Sequence, residues 1–217
     1  MEFDSEEEQI EAIKNWVKKN GVPVLLGIVV VLAATFGWRA WKGHQLKIDA
    51  QASAVYQQMM AGLQQSMGDA TDVNAMKVAQ DAADTLIKSW PNSAYADYAH
   101  LALAKQAVGR AAYDQAIDQL SQVVAKPANK ALGYTASLRL ARVYLQTGKL
   151  DEAKKIVTGF FPQAWQGEVL ELKGDVLAKQ KDIKGAQDAY GAAASAYGDN
   201  AAAARLQMKL NQLQASS

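Results

Sequence analysis

Cysteine is absent from this 217-residue chain. That excludes a disulfide scaffold, a thiolate nucleophile and Cys-ligated zinc, and it is compatible with either an oxidising or a reducing compartment. Histidine occurs only at His44 and His100. Neither has a second ligand at metal-binding spacing, so both read as structural and no metal or cofactor is expected. Of four prolines, Pro91, Pro127 and Pro162 fall between helical runs, where helices must stop. No segment alternates apolar and polar residues for long enough to make a strand. One-signed charge is missing as well: the net charge is +1, and from His44 onward 18 Lys and Arg are scattered among 16 Asp and Glu. A nucleic-acid surface needs a concentrated basic footprint, so that class is set aside.

One long hydrophobic run stands out against this even background. "GVPVLLGIVVVLAATFGW", Gly21 to Trp38, carries no charge. Val22 to Trp38 is 17 residues, at the short limit for a spanning helix, with a rise of about 25 Å. The flanks supply the rest, because Trp16 to Trp38 rises roughly 33 Å, close to the thickness of the hydrocarbon core. Trp16, Trp38 and Trp41 sit where an aromatic belt belongs, and Arg39 and Lys42 can reach outward from it. A cleaved signal peptide is the main competitor and a buried core helix the other. A signal peptide has a short basic leader, but here Glu2, Asp4, Glu6, Glu7, Glu8 and Glu11 precede the run, and no small-residue cleavage site follows it. The reading is an uncleaved single-pass anchor over 22–41. Ala33 and Gly37 form one small-xxx-small pair, a weak helix-contact signal.

Residues 1–21 read as a separate amphipathic helix. A Ser5/Glu8 capping box opens it, Lys18 and Lys19 suit its negative end, and Asn20-Gly21 closes it. It lies on the bilayer or docks a partner. The positive-inside rule leaves orientation open, since Lys14, Lys18 and Lys19 on one side tie with Arg39, Lys42 and Lys47 on the other.

The remainder, 42–217, shows helical period throughout. "MKVAQDAA" (76–83), "YDQAIDQL" (113–120), "LDEAKKIV" (150–157) and "IKGAQDAY" (183–190) share one alanine, at Ala79, Ala116, Ala153 and Ala186, spaced 37, 37 and 33. That approaches the 34-residue tetratricopeptide period. "LARVYLQTGKL" ahead of Ala153 fits the pattern of a first helix, and "LALAKQA" ahead of Ala116 resembles one. In the third unit Lys173 and Lys181 stand where Leu and Gly are usual. A helix over 49–67 containing Tyr56 opens the earliest pair, and 201–213 makes a terminal cap. The fold expected is all-α: a single-pass transmembrane helix followed by a tetratricopeptide-like α-solenoid.

Catalytic signatures are missing. Gly148-Lys149 lacks the first glycine of a phosphate loop, whose place Val143 takes; no G-x-S-x-G or H-E-x-x-H occurs; and Asp151 and Glu152 point apart on a helix. An enzyme is not expected, and a binding surface is. In a tetratricopeptide stack the first helices line a groove. Counting along the alignment puts Tyr98, Leu101, Lys105 and Val108 on it, then Thr135, Leu138, Arg142 and Leu145, then Glu171 and Asp175. The four apolar side chains Leu101, Val108, Leu138 and Leu145 either await a partner or are covered by a neighbouring helix or turn.

These segments, with "EQIEAIKNWVKKNG", "GWRAWKGHQ", "LRLARVYLQ" and "LQMKLNQL", resemble the YfgM-type ancillary subunits of the bacterial SecYEG translocon over nearly the whole chain. The resemblance implies a cytoplasmic N-tail, one span of the inner membrane and a periplasmic repeat domain. It also implies partners: SecYEG, a membrane-anchored periplasmic chaperone of prolyl-isomerase type, and emerging polypeptides. No catalytic residue comes with it. The charge tie alone also permits a scaffold facing the cytoplasm that recruits soluble proteins.

Overall fold

A computed structural model describes residues 6–68, 72–198 and 200–215. The chain divides into two compact units, Met1–Gln51 and Ala52–Ser217. Among the described residues every regular element is helical: α1 (Glu6–Gly68), α2 (Val73–Ser89), α3 (Ala94–Gly109), α4 (Tyr113–Ala125), α5 (Lys130–Gln146), α6 (Leu150–Val157), a 3-10 turn (Gln163–Trp165), α7 (Gln166–Lys179), α8 (Ile183–Tyr197) and α9 (Asn200–Ala215).

In the N-terminal unit the helix does not end at Asn20-Gly21 as the sequence suggests; α1 continues through Pro23. The Asn20 side-chain amide donates to the Trp16 carbonyl, 3.1 Å away, inside the helix. Proline removes one amide donor, and an apolar segment satisfies far more backbone groups by remaining helical than by breaking there. The Ser5 end of the expected capping box lies outside the described residues. Gln9–Gly43 is long and apolar enough to cross a membrane, and none of its most apolar window is buried. A core helix would bury that face, so the core-helix alternative is set aside. The one hydroxyl deep in the run, Thr35, donates to the Val31 carbonyl at 2.7 Å and so presents no unpaired donor. Trp38 and Trp41 lie with ring centroids 5.3 Å apart.

The second unit stacks helix pairs, each packed on the next, with α3, α5 and α7 side by side. The four alanines of the repeat all lie at crossings: Ala79 is 1% exposed and Ala116, Ala153 and Ala186 are 0%. A methyl there lets two backbones approach while Leu120, Val157 and Tyr190, one turn on, fill the space beside them. Helix starts are set by side-chain caps, with Ser93 accepting from Ala96 N at 3.2 Å and Asn129 from Leu132 N at 3.0 Å.

The same closure ends the first helix of three repeats. The backbone bonds Ala112 N to Ala107 O (2.8 Å), Lys149 N to Tyr144 O (2.8 Å) and Asp182 N to Leu177 O (3.0 Å) each span one Schellman turn. The left-handed residue of the turn is Ala111, Gly148 and Lys181 respectively, with φ of 56°, 76° and 64°. Only the middle repeat has the glycine that favours this conformation, yet all three adopt it, since the hairpin geometry outweighs a local cost of roughly 1–2 kcal/mol. Lys181 is thus a departure in sequence and not in structure. Gly148 serves this turn, in keeping with the rejected phosphate-loop reading.

Candidate binding groove

Between α3 and α5 lies an open cavity of about 350 Å³, with Leu101, Ala104, Val108, Leu120 and Val143 on its apolar floor and walls. Lys105, Arg139 and Arg142 also line it, and among the described residues no acidic side chain does. The structure therefore gathers Leu101, Lys105, Val108 and Arg142 of the sequence-derived set in one place. Leu101 is nearly buried, whereas Val108 is 40% exposed. Arg139 was missed by the alignment count. Its signal was available: it lies four residues after Thr135 and three before Arg142, on the same helical stripe.

The remaining six are not brought into this cavity. Tyr98 is exposed, and its ring lies 5.6 Å from that of Tyr56. The Thr135 hydroxyl is spent on its own helix, donating to Ala131 O at 3.0 Å. Leu138 requires a correction: it is 0% exposed, packed with Val157, Phe161, Val169 and Leu172. The chain between α6 and α7 folds back there, placing Phe161 and Trp165 against Tyr134, with centroids 5.4 and 5.9 Å away. Leu145 is half-buried against the same cluster.

Glu171 and Asp175 are not open either, because α9 supplies their partners. Arg205 donates to both Glu171 oxygens at 2.9 and 2.8 Å, and Lys209 reaches Asp175 at 2.6 Å and Glu171 at 3.0 Å. Acids spaced four residues apart on α7 meet cations spaced four apart on α9, so the pairing was latent in the sequence. Tyr190 and Tyr197 of α8 add their hydroxyls, donating to Asp175 at 2.8 Å and Glu171 at 2.9 Å. They reach because Gly174 and Gly167 leave room for the rings; a Cβ on Gly167 would meet the Tyr197 ring at 2.7 Å. This glycine–tyrosine fit gives the third repeat a packing of its own where Lys173 replaces the usual leucine.

Burial alone would raise the Glu171 carboxyl, but hydrogen bonds from Arg205, Lys209 and Tyr197 outweigh it and hold the group down at about 2. Burial and the Glu171 bond push the Tyr197 phenol up to about 12. Because the Glu171 pKa is depressed in the folded state, its contribution is complete above about 4.5 and is lost as pH falls from there toward 2. Acidification through that window is expected to remove roughly 2 kcal/mol. Glu171→Gln should flatten the dependence of the melting temperature on pH in the same window, and an unchanged slope would show that another group carries it.

Asp97 is buried at 4% exposure and accepts from Ala128 N at 2.7 Å, tying α3 to the turn before α5. Burial pushes its carboxyl up, partly offset by that bond and by nearby His100. His100 Nδ1 lies 2.6 Å from Gln119 Oε1, which fits a structural link between α3 and α4. The side chain of His44 lies outside the described residues. Among those described, no three His, Asp or Glu gather to hold a metal ion.

Residues 14–215 match the tetratricopeptide repeat-like domain family. The chain is 30% identical over 211 residues to a protein of Escherichia coli (strain K12) named ancillary SecYEG translocon subunit, covering 97% of this chain and 98% of that one. A Haemophilus influenzae protein of the same name is 32% identical over 154 residues, 70% of this chain and 71% of its own. One from Aggregatibacter actinomycetemcomitans is 31% identical over 160 residues, 74% of each chain.

Proposed function

From the premise that the chain belongs to the tetratricopeptide repeat-like family of ancillary SecYEG translocon subunits, we propose that it is a single-pass inner-membrane subunit accompanying SecYEG. The N-terminal tail, 1–21, is cytoplasmic, 22–41 is the anchor, and 42–217 is a repeat domain in the periplasm. There the domain takes part in a chaperone network that assists secreted or outer-membrane proteins as they leave the channel. A membrane-anchored chaperone of prolyl-isomerase type and the emerging chains are its partners. The domain works by binding and not by catalysis. Trp16, Trp38, Arg39, Trp41 and Lys42 seat the anchor at the two interfaces; the three tryptophans are more than half exposed, as side chains meeting lipid headgroups would be.

The observation that carries this reading is the extent of the likeness, which covers 97% of the chain and so includes the apolar helix as well as the repeats. Tetratricopeptide repeats alone would support no more than a scaffold. Two measurements test it together. A reporter active only in the periplasm, fused after Ser217, should be active, and the full chain should co-purify with SecYEG from solubilised membranes. A silent reporter at normal protein level favours the scaffold facing the cytoplasm, and absence of SecYEG from the purified material removes the translocon assignment.

A further inference from the structure

Charges on neighbouring first helices are matched along one part of this face and unmatched along another. Across α5 and α7, Arg142 meets Glu168 at 3.7 Å. Across α7 and α9, Glu171 and Asp175 meet Arg205 and Lys209 at 2.6–3.0 Å. Across α3 and α5 the pattern fails, because Lys105 on one helix faces Arg139 and Arg142 on the other with no acid lining the space between. Lys105 and Arg139 make no ion pair among the described residues, and the Arg142 pair is long and about half exposed. Like charges lining one concavity repel, and an anion entering it relieves that repulsion.

The space between the cations is apolar, floored by Leu101, Leu120 and Val108. At about 350 Å³ it has room for a large side chain. The geometry points to the α3/α5 cavity as a docking site for a polypeptide segment that places one large apolar side chain on this floor, flanked by Asp or Glu residues paired with Lys105, Arg139 and Arg142. The apolar floor selects against a free anion, which would leave it empty. The open groove, unlike a closed cavity, lets a chain pass through. This inference deepens the reading of the domain as a binder of partner or emerging chains, giving that binding a place and a chemical preference.

The test uses the full chain in non-ionic detergent and fluorescence anisotropy with labelled synthetic peptides. One alternates Glu and Asp around a central Phe-Leu pair; a second replaces the acids by Gln and Asn; a third keeps the acids and replaces Phe-Leu by Ser-Ser. The first should bind, with affinity falling as salt rises, and the other two should bind at least about tenfold more weakly. Lys105→Gln combined with Arg139→Gln should weaken the first peptide by about tenfold or more. Both side chains are exposed, so the melting curve should not move. Lys155→Gln with Lys184→Gln, exposed cations that do not line the cavity, should leave binding unchanged. Equal binding of all three peptides, no binding of the first, or indifference to the Lys105/Arg139 change each overturns the proposal. So does displacement by inorganic phosphate or phosphatidylglycerol vesicles while the serine peptide binds as well as the first, which would mark an anion or lipid site. SecYEG recovery separates the two readings: wild type failing to co-purify removes the translocon assignment, whereas peptide selectivity is measured without it.

Discussion

Ala153→Asp unfolds the repeat domain. Ala153 is 0% exposed on α6, which packs against α5 and α7, and Val157, one turn further along the same helix, sits in a buried apolar cluster with Leu138 and Ala141. An aspartate there needs space for three more heavy atoms, Cγ and the two carboxylate oxygens, and it brings a carboxylate into a site that water does not reach. Either the charge is buried unpaired or it is neutralised at a cost, and each route comes to about 4 kcal/mol or more. Domains of this size hold roughly 5–15 kcal/mol in total, and the loss falls at one crossing of a stack whose repeats support their neighbours. Far-ultraviolet circular dichroism of the full chain should show the melt of the repeat domain shifted down or abolished, while the exposed neighbour change Glu152→Gln leaves it within experimental error. A wild-type melt for Ala153→Asp would mean that the α5/α6 crossing is not closed as described.

Gly62→Val should separate α1 from α2. A Cβ built on Gly62 lies 2.8 Å from the Ala75 carbonyl oxygen and 2.9 Å from the Ala79 amide nitrogen. Both atoms belong to backbone in α2, so no side-chain rotation can make room, and the helices must move apart. That opens the cluster of Met59, Ala82, Leu86 and Leu103 beneath them. Overpacking against backbone costs about 3 kcal/mol for a branched side chain. Gly62→Ala, with one methyl to accommodate, should cost less. Limited proteolysis is the discriminating measurement: cleavage should rise first in the α1–α2 region, with α5 to α8 retaining protection. Uniform protection in Gly62→Val would show that the helices do not approach this closely.

These two sites mark the difference between what could be read and what could not. Ala153 was legible because the same residue recurs at Ala79, Ala116 and Ala186 in a fixed frame, and a repeated small residue on a helix has one physical use, a close crossing. Gly62 was invisible, because the earliest repeat has no matching first-helix pattern and a lone glycine within a helical run has no frame to give it meaning. Counting along the repeat alignment put Leu101, Lys105, Val108 and Arg142 on one face, and all four line the α3/α5 cavity. Leu138 obeys the same period and is nevertheless buried, since Phe161 and Trp165 arrive from a connection some twenty residues further along. Glu171 and Asp175 were counted onto the groove by the same alignment, but a later helix takes them.

The sequence by itself determined the apolar anchor, the all-helical class and the register of the repeat, because each depends on interactions within a turn or two of chain: hydrophobic periodicity, local helix capping and the small residue that a crossing demands. Only the tertiary structure decided which positions on the inner face remain open. Openness is set by what is absent opposite a side chain, and that depends on segments remote in sequence: a returning loop covers Leu138, α9 neutralises the acids of α7, and of the three cations between α3 and α5 only Arg142 meets an acid among the described residues, Glu168 at 3.7 Å.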